Sequence, residues 1–276
     1  MSISSGKPAE NNTSRVIVLG NEKGGTGKTT LAIHLLLGLQ AKGARVAAID
    51  LDGRAAGFSK FLENREAWAK HSRQNIYTPP FFTVSPSQNK DVAQREQEDF
   101  AAFAGAVEKL EHISDYLILD LPSGDTYLGR LAHSMADILI TPLNDGFLDV
   151  NILGDVDDED FSVKHINPYG KYVLDCLNRR KNIDGKGFTW LLVKNRVSSL
   201  GAKHKLKIDK ALNNLAKKLG AKIATNIGDR VIFRELYAMG LSVFDVLDKQ
   251  TGVKATASHN EAKKEVLDLI EYIDSK

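Results

Sequence analysis

The stretch RVIVLGNEKGGTGKTT, Arg15 to Thr30, runs from an apolar segment into ten residues that hold three glycines and two lysines, Asn21 to Thr30. RVIVLGN, Arg15 to Asn21, is a short apolar, β-branched run, which is the pattern of a buried strand. The segment after the glycines, TTLAIHLLLGLQAKG, reads as a helix closed by Gly43. A turn between strand and helix needs glycine. It does not need a pair of cations. Glycine lets backbone N–H groups converge on an anion, because no Cβ blocks the approach. The helix N-terminus adds its partial positive charge at the same place. Lys28 can reach β- and γ-phosphates, and the Thr29 hydroxyl can bind Mg²⁺. Gly24, Gly25, Thr26, Gly27, Lys28, Thr29 and Thr30 are therefore expected to cradle a nucleoside triphosphate.

Outward from this loop, short apolar runs alternate with helical patterns. RVAAIDLD reads as a second buried strand, YLILDLP as a third, ADILITPL as a fourth and FTWLLVKNRV as a fifth, with KIATNI as a possible sixth. GFSKFLENREAWAKH and DFAAFAGAVEKLEHI read as helices, the second with Phe100, Phe103, Val107 and Leu110 on one face. Pro79, Pro80 and Pro86 mark a loop. Strands that are continuously apolar indicate a mostly parallel central sheet covered by helices on both faces. The expected fold is a single α/β domain over residues 15–276, preceded by a disordered polar lead, 1–14. Residues 155–187 break the rhythm with the acidic run DVDDED, read as solvated, and are expected to be an insertion or a long surface helix.

Composition narrows the classes. The chain has 276 residues and a net charge of +2, so any basic surface must be local. Cys176 is the only cysteine, which excludes an internal disulfide and reads as a small buried hydrophobe. The histidines are scattered without metal-ligand spacing. The first residues lack an apolar core of a signal peptide, and no run approaches the roughly 18 apolar residues of a membrane span. The expectation is a cytoplasmic protein.

The general phosphate-loop pattern G-x-x-x-x-G-K-[ST] would place its first glycine at Glu22, and Lys23 follows instead. The form KGGTGKT resembles the deviant Walker A motif of the ParA/MinD family of P-loop ATPases. That resemblance implies ATP and Mg²⁺ as ligands, and a nucleotide-sandwich homodimer with ATP that is a monomer otherwise. It implies that Lys28 serves its own nucleotide and Lys23 the partner's. A cation beside the γ-phosphate would offset charge that develops in phosphoryl transfer. By the same resemblance, Asp52 of AIDLD positions the attacking water and Asp50 lies near Mg²⁺. Asp120 of LILDLPSGD holds the metal through water, Ser123, Gly124 and Asp125 sense the γ-phosphate, and Asn195 and Arg196 of VKNR touch adenine. Carboxylates that end parallel strands do face the ligand crevice.

Patches between residues 15 and 247, among them AIDLDGR…FLENREAW and DRVIFRELYAMGLSVFD, are similar to the MipZ branch of that family. This likeness implies slow, dimer-linked ATP hydrolysis and positioning of the division plane by inhibition of FtsZ polymerisation. It also implies a ParB-type centromere-binding partner, nonspecific DNA binding and association with the nucleoid. One element can be weighed by itself. Gly201 to Lys222 carries seven lysines and one acid. At helical spacing, Ile208, Leu212, Leu215 and Leu219 share one face, while Lys203, Lys210 and Lys217 line the other. Lys205, Lys207 and Arg230 are further candidates for a phosphate-contacting surface, which would be sequence-independent and salt-sensitive. An ordinary solvated helix face is the competing account. The tail, Glu261 to Lys276, is amphipathic through Val266, Leu269, Ile270 and Ile273 but has three lysines against five acids, so it should pack on the domain and not on anionic lipid. The alternative function is a ParA-type ATPase that segregates a chromosome, plasmid or protein-cluster cargo. A cluster-bearing reductase would need two cluster cysteines per subunit, which Cys176 cannot supply.

Overall fold

The computed structural model describes residues 13–53, 55–197, 202–245 and 255–275, with side chains of 202–204 outside the description. In chain order, β1 (Arg15–Leu19) leads through the glycine loop into α1 (Lys28–Ala41), then β2 (Val46–Asp50), α2 (Gly57–Ser72) and β3 (Phe81–Thr83). α3 (Val92–Leu110), β4 (Tyr116–Asp120), α4 (Tyr127–Met135), β5 (Ile138–Asn144) and α5 (Phe147–Val150) follow. Next come a hairpin, β6 (Gly154–Val156) and β7 (Val163–Ile166), then α6 (Pro168–Asp184), β8 (Thr189–Val197), α7 (Ala202–Leu219), β9 (Lys222–Gly228), α8 (Val231–Ala238) and α9 (Ala257–Asp274). Seven strands form one sheet in the order β3-β2-β4-β1-β5-β8-β9, every pairing parallel.

The central strands read as unbroken apolar runs because both of their faces are covered. Val16 and Val18 of β1 face a core with α3, α4, α6 and α7. Ile17 and Leu19 face a second core with α1, α2, α8 and α9. β1 lies between β4 and β5, so the chain changes direction along the sheet there, and the crevice opens at the carboxyl ends of β1 and its neighbours.

Several expectations change. The sheet has seven strands, because Phe81–Thr83, read as loop, is an edge strand against β2. Three residues carry no period, and the flanking prolines are tolerated at an edge. α3 starts at Val92, where Asp91 accepts from the Gln94 amide at 2.9 Å as an N-cap. Phe100 is 52% exposed and does not share the buried face of Phe103, Ala106 and Leu110. Segment 155–187 forms most of the β6–β7 hairpin and α6. Ser14, assigned to the lead, is buried, and its hydroxyl bonds the Ser114 and Glu111 carbonyls at 2.7 Å. Residues 1–12 lie outside the described residues. The tail helix packs as its charge suggests: Val266, Leu269, Ile270 and Ile273 are fully buried against α1 and β9.

Arg65 of α2 is 2% exposed and ties the loop after α8 to the domain. Its guanidinium donates to both oxygens of Asp245 at 2.7 and 2.9 Å, to the Gly240 carbonyl at 2.9 Å and to the Tyr77 carbonyl at 2.6 Å. Removing one partner of such a buried pair strands the other charge, so Arg65→Ala should lower unfolding free energy by about 3–5 kcal/mol in urea titration. Burial alone would raise the Asp245 carboxyl, but the Arg65 and Ser242 bonds hold it below the usual range. Its contribution is therefore present above the unfolded carboxyl value of about 4 and fades as pH falls through the lower folded value.

Candidate nucleotide site

The glycine loop has the left-handed backbone that its sequence demands, with φ of 74° at Gly25 and 88° at Gly27. A Cβ on Gly27 would lie 2.1 Å from Asn195 Nδ2, so no side chain is possible there while Asn195 holds its place. Asn195, at the carboxyl end of β8, donates Nδ2–H to the Thr26 carbonyl at 2.8 Å and so braces the loop. Asn21 does the same from below, donating to the Pro142 carbonyl at 2.8 Å while its Oδ1 accepts from the Lys23 amide at 2.8 Å. The Tyr169 hydroxyl of α6 donates to the Gly20 carbonyl at 2.8 Å. That leaves the Thr141 hydroxyl to donate to Tyr169 at 3.2 Å, while Thr141 accepts from Trp190 Nε1 at 3.0 Å. A directed chain of donors thus runs from β8 through β5 to the base of the loop.

Lys28 is buried, and its Nζ donates to the Lys23 carbonyl and to Ser123 Oγ, both at 3.2 Å. Burial lowers its pKa, against the pull of Asp120 and Asp52. The cation is thus folded into the mouth of the loop beside β4. The Thr29 hydroxyl donates to Asp120 Oδ2 at 2.7 Å. Asp120 Oδ1 is buried with no partner, and burial pushes the carboxyl up to about 8, with the Thr29 bond opposing and Asp50 adding to the rise. A hydroxyl beside a carboxylate with an unsatisfied buried oxygen fits Mg²⁺, which takes one or two protein oxygens and leaves the rest to phosphates and water.

Asp50 pairs with Asp120 in the β2–β4 register. Its oxygens are already engaged: Oδ1 accepts from the Asp52 amide at 3.0 Å, and Oδ2 from the Ser59 amide and hydroxyl at 3.0 and 2.7 Å. It lies beside Asp120 and braces the Asp52 amide. Asp52 is partly exposed, and among the described residues its Oδ1 accepts only a long 3.3 Å bond from the Ala55 amide, so it is the freer acceptor of the two there.

Lys23 takes a different partner from Lys28. Its Nζ meets Asp149 Oδ2 of α5 at 2.8 Å. Asp149 was not singled out by sequence, because a lone aspartate after a strand carries no spacing signal. Gly124 donates its amide to the Glu22 carbonyl at 2.9 Å, which joins the loop to the segment after β4. Asp125, expected to sense the γ-phosphate, instead forms a two-pronged pair with Arg130 of α4 at 2.5 and 2.7 Å, which holds its carboxyl below the usual range. Only Ser123 of the three touches Lys28. Arg196, left-handed at φ 52°, is exposed beside Asn195. A cleft lined by Thr30, His34, Asn195, Arg196, Asp229 and Phe233 continues from the loop. Asp229, Phe233 and His34 carried no sequence signal because they come from separate elements.

Of the basic candidates, Lys207, Lys210 and Lys217 are exposed on α7 and Lys205 is partly so, opposite the buried Ile208, Leu212, Leu215 and Leu219. The Lys203 side chain lies outside the described residues. Arg230 does not join this surface: it is 21% exposed and clamps Glu265 of α9 at 2.5 and 3.1 Å. No helix among the described residues is long and apolar enough to cross a membrane.

The model of the family described as ATPase MipZ matches residues 15–275. Among solved structures, the ATP complex of a Cyanothece McdA variant superposes with a TM-score of 0.64 at 16% identity, covering 95% of this chain and 97% of that one. The Mg-ADP complex of the septum site-determining protein MinD from Pyrococcus horikoshii gives 0.56 at 16% identity, over 95% and 96%. A MinD-type septum site-determining protein of Guillardia theta is 32% identical over 40% of this chain and 45% of its own length. An iron-sulfur cluster carrier protein of Haemophilus influenzae is 25% identical over 52% of this chain and 42% of its own. The chain thus spans less than half the length of these two relatives.

Proposed function

The chain belongs to the MipZ family of ATPases, and from this we propose that it is an ATP-dependent dimerising switch that restrains FtsZ polymerisation. The observation that carries the switch is the division of labour between two lysines. Lys28 bonds its own loop and Ser123, and Lys23 is paired with Asp149 of α5 instead.

The residues take the following roles. Backbone N–H groups of Gly24 to Thr30 and Lys28 bind the phosphates of the substrate ATP. Thr29 and Asp120 would hold Mg²⁺, which supplies charge neutralisation at the phosphate oxygens. Asp52, kept in place by Asp50, orients the attacking water and accepts its proton. Lys23 leaves Asp149 and reaches the nucleotide of a second copy, where its charge offsets that of the transferring phosphoryl group. The cleft beside Asn195 and Arg196 takes the adenine. Hydrolysis is slow and returns the monomer. The exposed lysines of α7 give each copy a phosphate-binding face, and two faces per dimer tie DNA binding to ATP. A ParB-type protein is the recruiting partner.

FtsZ sedimentation with this protein in ATP and in ADP tests the reading. Loss of pelletable polymer in ATP alone is the expected result. Unchanged polymer in both states, with ATP hydrolysis intact, would exclude the FtsZ role. The ParA-type segregation of a DNA or protein-cluster cargo would then stand in its place, a reading that the basic face of α7 also supports.

A further inference from the structure

The acidic run and the basic helix, distant in sequence, meet in the fold. The β6–β7 hairpin packs along α7: a Cβ on Gly154 would come within 2.8 Å of Leu215 Cδ2, and Asn214 Nδ2 donates to the Phe161 carbonyl at 2.7 Å. Asn214 lies on the exposed stripe of Lys207, Lys210, Lys217 and Lys218, three to seven residues from each, so these side chains share one face. The hairpin tip is therefore docked in the middle of the basic stripe.

The tip is also built to stay there. Phe161 is buried with φ of 62° and stacks on Phe147, ring centroids 6.5 Å apart. Asp157 accepts from the Glu159 and Asp160 amides at 2.8 and 3.4 Å, and Asp160 accepts from the Ser162 amide at 2.8 Å. Two of the acids are neutralised within the hairpin, Asp157 by Lys164 at 3.1 Å and Asp155 by His165 at 3.0 Å when that ring is protonated. Asp158, Glu159 and Asp160 are exposed and make no ion pair among the described residues. Three carboxylates thus sit within three residues of Phe161, whose carbonyl docks on the lysine-bearing face of α7, and Lys207, Lys210, Lys217 and Lys218 likewise make no ion pair among the described residues.

We propose that the 157–161 tip is a built-in polyanion that attenuates binding of nucleic acid to the α7 stripe. Its carboxylates belong to the residues that adjoin Phe161, which Asn214 of the stripe holds, and in cellular salt charges interact over about 8 Å. They repel incoming phosphates and lower the net charge of the stripe, so the chain binds DNA weakly enough to exchange. This inference rests on the DNA-binding reading of α7 given above.

Asp158→Asn/Glu159→Gln/Asp160→Asn removes the charges and keeps the hydrogen-bonding carbonyl at each position. Fluorescence anisotropy with a labelled mixed-sequence duplex, full chain and Mg-ATP, reads the effect. The triple variant should bind about five- to tenfold more tightly than wild type at about 50 mM salt, with the gain shrinking by about 300 mM as charges are screened. The gain should vanish when Lys210, Lys217 and Lys218 are also changed to glutamine. Equal, measurable affinity of wild type and variant would overturn the role of the tip and leave the DNA reading standing. A gain that persists without the three lysines would also overturn it. No binding by either protein would overturn the DNA reading, and the attenuator with it.

Discussion

Lys23→Ala should lower the turnover of ATP by about three orders of magnitude while leaving nucleotide affinity nearly unchanged, which is the size of effect that a cation supplied across an interface has on phosphoryl transfer. Lys23 is paired with Asp149 at 2.8 Å, whereas Lys28 bonds the loop's own Lys23 carbonyl and Ser123. Truncating Lys23 takes nothing from the cradle, so affinity for ATP should stay within about twofold, the range of a surface change. What is lost is the charge offered to a second copy. Light scattering in Mg-ATP should show a monomer at concentrations where wild type is a dimer. Normal dimers with normal turnover would remove the second lysine from the mechanism. Changing Asp149 to Asn is the informative companion, since it frees Lys23 without removing it, and should favour the dimer.

Asp52→Ala should slow hydrolysis by about 10² to 10⁴, the usual worth of a positioned proton acceptor. Here the dimer should persist, because the phosphate cradle, Lys23 and Lys28 are all intact. The expected picture in gel filtration with Mg-ATP is a long-lived dimer, with phosphate release near background. The neighbouring Asp50→Asn should show a milder version, because asparagine keeps one acceptor oxygen and can hold the Asp52 amide or Ser59 but not both. Undiminished phosphate release from the Asp52 variant would show that another group positions the water.

These expectations rest on residues of uneven legibility. The strand, the glycines and Lys28 were readable because strand, anion cradle and helix start are local and each leaves its own signal within sixteen residues. The parallel sheet was readable because a strand covered on both faces has no polar side. Asp120 and Asp52 were readable only by order and resemblance, since an aspartate that ends a strand says little by itself. Asp149, Asn21 and Asp229 were not readable, because each acts through a contact made by the fold, across distant segments. Arg230 was misplaced for the same reason, since its partner Glu265 spends its charge elsewhere, and the pairing of Asp125 with Arg130 left no signal either. The edge strand at Phe81 and the hairpin at Gly154 were hidden by their shortness.

The donor chain from Trp190 through Thr141 and Tyr169 to the Gly20 carbonyl bears on how this protein could be rebuilt. Segment 155–187 looks like a removable module, a hairpin and a helix appended between two sheet strands. Yet Tyr169 belongs to it, and that phenol is a footing of the phosphate loop. A chimera that replaced the segment with a short linker would leave the Gly20 carbonyl buried and unanswered. Any transplant of surface properties between relatives would therefore have to carry its own tyrosine, or cut on the far side of it.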